Sequence, residues 1–487
     1  MWNKQFIKQV LDRLLALLLA MALVRLSHGL WLGVMAIIGT VWALSGKSGK
    51  ALAIYFMITC MVNINPIILP MDGSFGIFAR FGPLVIGLAL MLKGMSFRGQ
   101  SRVPLGMIMV FLCVALVSSM NGWAPMVSYL KIINFAVFIL GFWFGLNTLS
   151  LDHDGVGYLR ATFMAFIVFL IVGSAALLPF PAISTLSGLQ LAVREGDVAA
   201  INAAMHSAEQ AMPLFCGVTR QSQALAVLGS VSLSWLMADM LFVEKHFAKP
   251  HLALIGVGIF LIYLSRSRAG LLSTMVGVVM VAIWLPNKIL LASYAKRHLK
   301  VGVSTLLIIG LVGGVWAEIS NDSISQWLRK VEDVDEDTRS LSDAVTSSRQ
   351  GLIEESMRDF WRNPMFGSGF QVAEYTAEYV ARAGSSVIIS APIEKGVLPV
   401  MILGETGILG VIAFALFLFS FYATSSRRRL YVTAALFTVL LATNMGEATF
   451  FSPGGGGAFI WAVCIVGGYC IDMHLHNERV LSVQRWQ

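Results

Sequence analysis

Long apolar runs recur along the whole chain and restrict its fold more than any other feature. The 487 residues are 57% hydrophobic and only 13% charged, with a mean hydropathy of +0.76. A soluble protein carries about a quarter charged residues, so a soluble fold is excluded. The runs are longer than buried strands and contain Gly, Trp and Met freely, which favours helices over a β-barrel. The sequence therefore predicts an all-α polytopic membrane protein.

The runs are long enough to cross about 30 Å of hydrocarbon, with one exception. The short N-terminal run 14–24 either spans the membrane or lies at its surface, and counting it gives about fourteen transmembrane helices. The other thirteen predicted spans lie near 30–45, 51–70, 76–93, 103–120, 128–149, 159–180, 221–243, 250–264, 269–285, 301–317, 397–424, 429–448 and 458–475.

The distribution of basic residues decides between the two topologies. If run 14–24 crosses as the first arm of a hairpin that turns at 27–29, most Lys and Arg clusters fall on one side. By the positive-inside rule that side is the cytoplasm, and both chain ends lie there. The net charge of +8 then reflects orientation and contact with anionic lipid headgroups, and no nucleic-acid partner is needed to explain it.

This topology divides the chain into three parts. Residues 1–317 hold about eleven transmembrane helices and a shorter external loop at 181–216. Residues 318–396 form a large, partly helical periplasmic loop, which contains 14 of the 27 acidic residues. Residues 397–487 hold about three further helices and a cytoplasmic tail.

The sequence contains partial matches to nucleotide-binding and metal-binding motifs, but their residue spacing excludes such sites. The sequence GKS at 46–48 has its preceding glycine at the wrong distance for a phosphate loop. The acidic run 333–337 has Thr338 where a calcium loop requires glycine. The five cysteines show neither CxxC nor Cys/His metal spacing.

Several basic residues lie at the outer face, where orientation gives no reason for them. Ionisable groups close to hydrocarbon are costly and usually mark a site, although snorkelling or pairing with loop carboxylates is the alternative. An outward cationic cavity would suit the diphosphate of a lipid-linked sugar. The predicted outward cations are Arg80, Lys131, Arg194, Arg220, Arg266 and Arg268.

The large external loop contains one amphipathic helix. Ser347 with Gln350 is typical of a capping box, and Pro364 ends the element. At about 100° per residue one stripe holds Arg349, Leu352, Ile353, Ser356, Met357 and Phe360, while Arg358 and Arg362 point away. A cation on the apolar stripe is a candidate ligand-binding residue, with a buried ion pair as the alternative.

Three motifs in order resemble the O-antigen ligase and Wzy-type polymerase superfamily. They are SRAG at 267–270, SRQ at 348–350 leading to NPMFGSGF at 363–370, and ETGILG at 405–410. The resemblance covers roughly residues 260–425. It implies a GT-C-like, metal-independent glycosyltransferase of the bacterial inner membrane that needs no cofactor.

Such enzymes take a glycan from an undecaprenyl diphosphate carrier at the periplasmic face. Ligases transfer it to lipid A core, and polymerases transfer it to another lipid-linked repeat unit of O-antigen, capsule or exopolysaccharide. The resemblance implies that Arg268 and Arg349 bind the diphosphate, with Arg220 in the same role. The expected protein partner is a chain-length regulator or an export complex.

One departure shifts the expectation from ligase to polymerase. Ligases carry a His-Asn pair shortly before the Glu-x-Gly motif, where this chain reads PIEKGV at 392–397. We expect Glu394 to act as the general base, with His206 second, while Glu405 braces the loop or the arginines. A transporter or flippase, and a non-catalytic scaffold of an export complex, are the alternatives from other classes.

Overall fold

The computed structural model describes residues 4–70, 74–95, 102–120, 122–149, 152–184, 215–244, 249–265, 267–283, 341–372, 397–446, 449–453 and 455–484. In these ranges the protein is helical, and the only strand-like feature is an isolated antiparallel bridge between Ile64 and Thr219. The predicted all-α polytopic membrane fold is confirmed. Among the described helices, seven are long and apolar enough to cross a membrane, and four shorter ones are also apolar.

The helices follow the predicted apolar runs. Run 301–317 lies outside the described residues, so the number of fourteen spans stays a prediction. The helix labels used below are α1 Lys4–Leu26, α2 Leu30–Leu44, α3 Ser48–Met61, α4 Phe75–Gly94, α5 Arg102–Met120, α6 Pro125–Leu149, α7 His153–Val168, α8 Ser222–Asp239, α9 Lys249–Leu264, α10 Arg268–Ile283, α11 Leu341–Arg362, α12 Leu398–Arg428, α13 Tyr431–Thr443 and α14 Gly455–Trp461, which continues to Gln484 through Ala462–Gly467 and Gly468–Gln484.

The N-terminal run is the first arm of a helical hairpin. α1 ends at Leu26, and Gly29 has φ +87, a left-handed conformation that glycine adopts without strain. A side chain at Gly29 would meet the backbone of Phe75, so the turn also packs closely on α4. The 23 residues of α1 place its two ends at opposite ends of the bundle, as the predicted hairpin requires.

Contacts between turns show that the bundle has two ends and that the turns between helices lie at one end or the other. At one end, which we call the motif end, the turn residues 62–70, 122–124 and 363–372 are found together with Ser265, Ser267 and the start of α12. Asn65 N donates to Val218 O over 2.8 Å there, and Leu398 N donates to Asn444 O over 3.0 Å. The motif end therefore contains all three sequence motifs.

The opposite end, which we call the basic end, contains the other set of turns. Gly49 N donates to Asp152 Oδ2 over 3.2 Å, and Val432 N donates to Asp472 Oδ1 over 3.1 Å. Most of the Lys and Arg residues whose side chains the structure describes lie at this end. They are Lys4, Lys8, Arg13, Lys47, Lys50, Lys93, Arg160, Lys249, Arg427, Arg428 and Arg429.

A buried ion network joins three helices near the basic end. Arg160 Nε on α7 lies 2.7 Å from Asp239 Oδ1 at the end of α8, and its Nη2 lies 2.9 Å from Glu244 Oε1. His251 Nε2 on α9 is 3.3 Å from Asp239 Oδ2. Removing one partner would leave an uncompensated buried charge, so the network fixes these helix ends relative to one another.

The amphipathic helix predicted within residues 318–396 starts earlier than expected. α11 begins at Leu341, so the predicted cap at Ser347 is wrong and that residue lies inside the helix. In the sequence, Asp343 is an alternative N-terminal signal, because acidic residues are favoured in the first turn of a helix. The predicted end is confirmed, since α11 stops at Arg362, immediately before Asn363 and Pro364.

Candidate functional site

Segment 363–370 docks into a break in α12. The break is at Gly407, whose backbone has φ +64 and ψ −165, a non-helical conformation inside an otherwise continuous helix. Residues on both sides of the break pair with the segment through their backbones. The four hydrogen bonds are Ile408 N to Pro364 O at 2.9 Å, Leu409 N to Met365 O at 3.4 Å, Ser368 N to Gly404 O at 3.0 Å and Gly369 N to Glu405 O at 3.1 Å.

These bonds explain why a break is tolerated in an apolar helix. Interrupting a helix leaves N–H groups and carbonyls without their usual partners, which is costly where water is excluded. Here segment 363–370 supplies the carbonyls and the N–H groups that the broken turn of α12 lacks. The NPMFGSGF and ETGILG motifs are thus two halves of one backbone structure.

Glycines allow the two chains to approach this closely. A Cβ atom on Gly407 would overlap the backbone of Met365, and one on Gly367 would overlap the backbone of Glu405. Gly404 in turn faces the Ser356 carbonyl of α11, which a Cβ atom would approach to 2.5 Å. The glycines of the motifs therefore serve close backbone packing.

The turn between α5 and α6 holds the segment from the other side. Polar side chains at the end of α5 and the start of α6 contact backbone groups of both motifs, so three parts of the chain that are far apart in sequence meet here. The contacts are Ser118 Oγ to Glu405 O at 2.5 Å, Phe370 N to Ser119 Oγ at 3.2 Å, Ser128 Oγ to Phe370 O at 2.8 Å and Lys131 Nζ to Gln371 O at 2.7 Å.

Asp359 is a central residue of this site that the sequence did not indicate. It lies on α11 with 4% of its surface exposed. Its Oδ1 accepts a hydrogen bond from Trp123 Nε1 at 3.3 Å, and its Oδ2 accepts one from Ser368 Oγ at 2.9 Å. Asp359 therefore ties α11 to the α5–α6 turn and to the docked segment.

We expect Asp359→Ala to destabilise the protein by about 1 to 3 kcal/mol, because it removes the buried acceptor of Trp123 Nε1 and leaves Ser368 Oγ only its longer bond to Gly404 O. Asp359→Asn keeps one acceptor oxygen and should lose less. The melting temperatures of the purified variants, followed by intrinsic tryptophan fluorescence, show which substitution destabilises the protein more. Glu354→Ala on the exposed side of α11 is the matched control. An Ala variant that melts with this control would contradict the assigned contacts.

The amphipathic stripe of α11 is confirmed at the residues whose side chains the structure describes. Ser356 is 4% exposed and Phe360 is 9% exposed, whereas Arg358 is exposed as predicted. Arg349 lies two turns before Ser356 on the same stripe by helical register. Its side chain is outside the described set, so its diphosphate-binding role stays a prediction.

Arg268 and Arg220 lie at the same end of two neighbouring helices. α8 and α10 run in the same direction: Gly270 packs on Ala226 near their starts, and Gly277 packs on Ser234 farther along. Ser267 Oγ accepts a hydrogen bond from Gly270 N at 3.3 Å and caps α10, so the helix begins at Arg268. Both arginines are therefore at the motif end.

The remaining predicted residues have different surroundings. Glu405 is 1% exposed and lies beside the break in α12. Lys131 is 7% exposed, and its bond to Gln371 O gives it a role in holding the docked segment. Arg80 is exposed on α4, between the exposed Ile77 and Phe81. His206, Arg266, Glu394 and Arg194 lie outside the described residues.

No group of three or more His, Cys, Asp or Glu side chains able to hold a metal ion occurs in the described part of the chain. The polar groups found at the site are backbone amides, hydroxyls, Lys131 and the carboxylates Asp359 and Glu405. The site chemistry that these residues support is hydrogen bonding and charge stabilisation.

The fold and this site define a polytopic helical membrane protein in which a loop segment completes a broken helix at one end of the bundle. Residues 252–415 match the family model described as O-antigen ligase. The match covers about a third of the chain and includes all three motifs, so the resemblance to the O-antigen ligase and Wzy superfamily is confirmed. The comparison with curated proteins finds no match.

Proposed function

We propose that the protein is a polysaccharide polymerase that uses an undecaprenyl diphosphate-linked glycan as donor and a lipid-linked repeat unit as acceptor. The observation that carries the proposal is the joining of NPMFGSGF to ETGILG at the end of the bundle where Arg220 precedes α8 and Arg268 begins α10. The match to the O-antigen ligase family model supports chemistry of this general type.

The charge distribution supports a periplasmic active site. Lys and Arg accumulate on the cytoplasmic side of bacterial membrane proteins, so we assign the basic end to the cytoplasm. The motif end then faces the periplasm of the inner membrane. Lipid-linked glycans that have been flipped across the membrane present their diphosphate at that surface, within reach of arginines at the helix starts.

The proposed reaction is a single displacement. The acceptor hydroxyl attacks the anomeric carbon of the donor sugar, and the bond from that carbon to the diphosphate oxygen breaks. The hydroxyl proton passes to Glu394, with His206 as the second candidate base, and undecaprenyl diphosphate leaves with the bonding electrons. Arg268, Arg349 and Arg220 stabilise the charge that develops on the diphosphate, and inversion at the anomeric carbon follows from the single step.

Four further residues receive roles in the proposed site. Glu405 lies at the break of α12, where its carbonyl is held by Ser118 and Gly369. We assign it to bracing the arginine-bearing elements. Lys131, Arg266 and Arg80 are assigned to binding the donor or acceptor, and Lys131 does so through the docked segment, which its ammonium group holds at Gln371.

A ligase that transfers the glycan to lipid A core is the second candidate. The description of the matching family model favours it. The sequence favours the polymerase, because PIEKGV at 392–397 stands where ligases carry a His-Asn pair. The acceptor distinguishes the two enzymes, so the test must supply both.

The deciding experiment uses the purified full chain in lipid vesicles with an undecaprenyl diphosphate-linked oligosaccharide. A polymerase gives a ladder of longer lipid-linked products without any other acceptor. A ligase gives product only when lipid A core is added. Movement of the lipid across the bilayer without a new glycosidic bond would indicate a flippase, and no change of the lipid at all would indicate a scaffold.

In the same assay we expect Glu394→Gln to lower the rate by about 10² to 10⁴, the usual contribution of a general base. The substitution keeps the size of the side chain and its hydrogen-bonding capacity but removes the proton acceptor. Binding of the donor, measured separately, should change little. A Glu394→Gln enzyme with the wild-type rate, together with an inactive His206→Gln enzyme, would transfer the base role to His206.

A further inference from the structure

An exposed apolar corner lies where α11 meets the docked segment. Trp361, in the last turn of α11, has 70% of its surface exposed, and Met365 has 50% of its surface exposed. Arg362 and Pro364, which lie between them in the sequence, are exposed as well. We call these four residues the α11 corner. Single apolar side chains are common on protein surfaces, so only the position of the corner can show what it contacts.

The α11 corner is joined to an apolar stripe on α12. Ile408 N donates to Pro364 O over 2.9 Å, and Leu409 N donates to Met365 O over 3.4 Å. The corner is therefore attached to α12 directly after its break. From that point α12 exposes apolar side chains at helical spacing, as a membrane-spanning helix does toward lipid. The stripe consists of Ile408, Val411, Ile412, Leu416 and Phe419.

The length of α12 places the α11 corner at one boundary of the hydrocarbon. A helix rises about 1.5 Å per residue, so α12 covers about 30 Å from Ile408 to its last residue, Arg428, which is the thickness of the hydrocarbon core of a bilayer. The exposed arginines 427–429 mark the boundary at the basic end. Ile408, and the corner attached to it, therefore lies at the boundary on the motif end.

The side chains of the corner fit the boundary between lipid and water. Tryptophan concentrates at membrane interfaces, because its ring is apolar while its N–H needs a hydrogen-bond acceptor. A glycan stacked on the Trp361 ring in water would leave Met365 and Ile408 in contact with water. A bilayer instead covers the corner and the stripe of α12 together, which removes more apolar surface from water.

We propose that the α11 corner is an interfacial anchor, in which the Trp361 ring lies among the lipid headgroups of the leaflet at the motif end. Met365 contacts the first part of the acyl chains, and the Trp361 N–H donates to an oxygen of a lipid headgroup or ester. The anchor is fixed to the packed face of α11, because the ring of the buried Phe360 lies 5.0 Å from the Trp361 ring between centroids.

The anchor sets the depth at which the two motifs are joined. Segment 363–370 and the break of α12 are held at the level of the headgroups, since both are bonded to the corner. This is the level at which the diphosphate of a lipid-linked substrate would lie. That last consequence rests on the proposed function, whereas the anchor itself does not.

The test is depth-dependent quenching of Trp361 fluorescence by brominated phosphatidylcholine in vesicles that contain the purified full chain. The chain has 12 tryptophans, so the signal of Trp361 is the difference between the wild type and Trp361→Phe. We expect lipid brominated near the start of the acyl chains to quench this signal more strongly than lipid brominated near their ends. Trp235→Phe is the matched control: Trp235 is fully buried, so its difference signal should resist both lipids.

A water-soluble quencher distinguishes the ways in which the proposal could fail. If acrylamide quenches the Trp361 signal and neither lipid does, the ring lies in water, where a glycan could reach it, and the proposal is overturned. If none of the three quenches it, another part of the chain or a second copy covers the ring, which also overturns the proposal. Stronger quenching by the lipid brominated near the chain ends would place the ring in the hydrocarbon and contradict the assigned depth. No substrate is needed, so these results do not depend on the proposed reaction.

Discussion

Replacing Arg268 or Arg349 by alanine should lower polysaccharide synthesis by about 10² to 10³ each, the cost of removing one group that stabilises transition-state charge. The leaving diphosphate gains negative charge as the glycosidic bond breaks. An arginine can donate two parallel hydrogen bonds to it, and in a site with few waters these bonds strengthen as the charge develops. The product ladder formed by the purified enzyme measures the loss.

The matched control for Arg349 is on the same helix. Arg358 lies on the exposed side of α11. Arg358→Ala therefore removes the same charge from the same helix, but not from its packed stripe. We expect it to keep the wild-type rate. Arg268→Lys and Arg349→Lys should be intermediate, because lysine keeps the charge without the two-pronged geometry. Normal product length in both alanine variants would remove the basis of the mechanism.

The sequence predicted the helices well because each is determined locally. An apolar run that cannot pair its backbone with water forms a helix wherever it lies, so the described spans follow the runs closely. The stripe on α11 was also predictable, since a period of 3.6 residues fixes which side chains share a face. Its start was not, because Ser347 and Asp343 offer competing N-terminal signals within the same few residues.

The candidate site was predicted only in part, because its geometry depends on contacts between distant segments. The motifs mark stretches that meet in the structure, yet nothing in ETGILG reveals that α12 breaks at Gly407. The break is stable only because segment 363–370 supplies its hydrogen bonds. Asp359 was missed for the same reason: on a helix it resembles a solvated acid, and only Trp123 and Ser368 identify it as a buried acceptor.

The joining of the two motifs also changes how their glycines should be interpreted. A glycine-rich motif near a diphosphate site is often assigned to direct contact of the backbone with the ligand. In this protein the glycines at 367, 404 and 407 face other backbone atoms. Their substitution should therefore affect folding first and catalysis as a consequence, which separates them from Arg268 and Arg349.

Gly407→Ala is accordingly expected to lower the stability of the protein by at least about 3 kcal/mol. With φ +64 and ψ −165, Gly407 occupies a backbone region that is essentially restricted to glycine, which costs other residues about 1–3 kcal/mol. The added Cβ atom would also overlap the Met365 carbonyl and the Phe366 amide, so the docked segment would have to move. Movement exposes the unpaired backbone groups of the broken turn, whose cost adds to the strain.

Gly351→Ala provides the matched control, since Gly351 is an exposed glycine inside α11 with nothing within 4 Å of an added Cβ atom. Alanine is the better helix former there, so this variant should melt slightly above the wild type. Fluorescence-detected size exclusion after heating measures the melting temperatures of Gly407→Ala and Gly351→Ala. If Gly407→Ala melted beside the wild type, the break in α12 could not be the structure that holds the two motifs together. If instead it were destabilised but Gly367→Ala were not, the strain at Gly407 alone, rather than the contact with segment 363–370, would account for the loss.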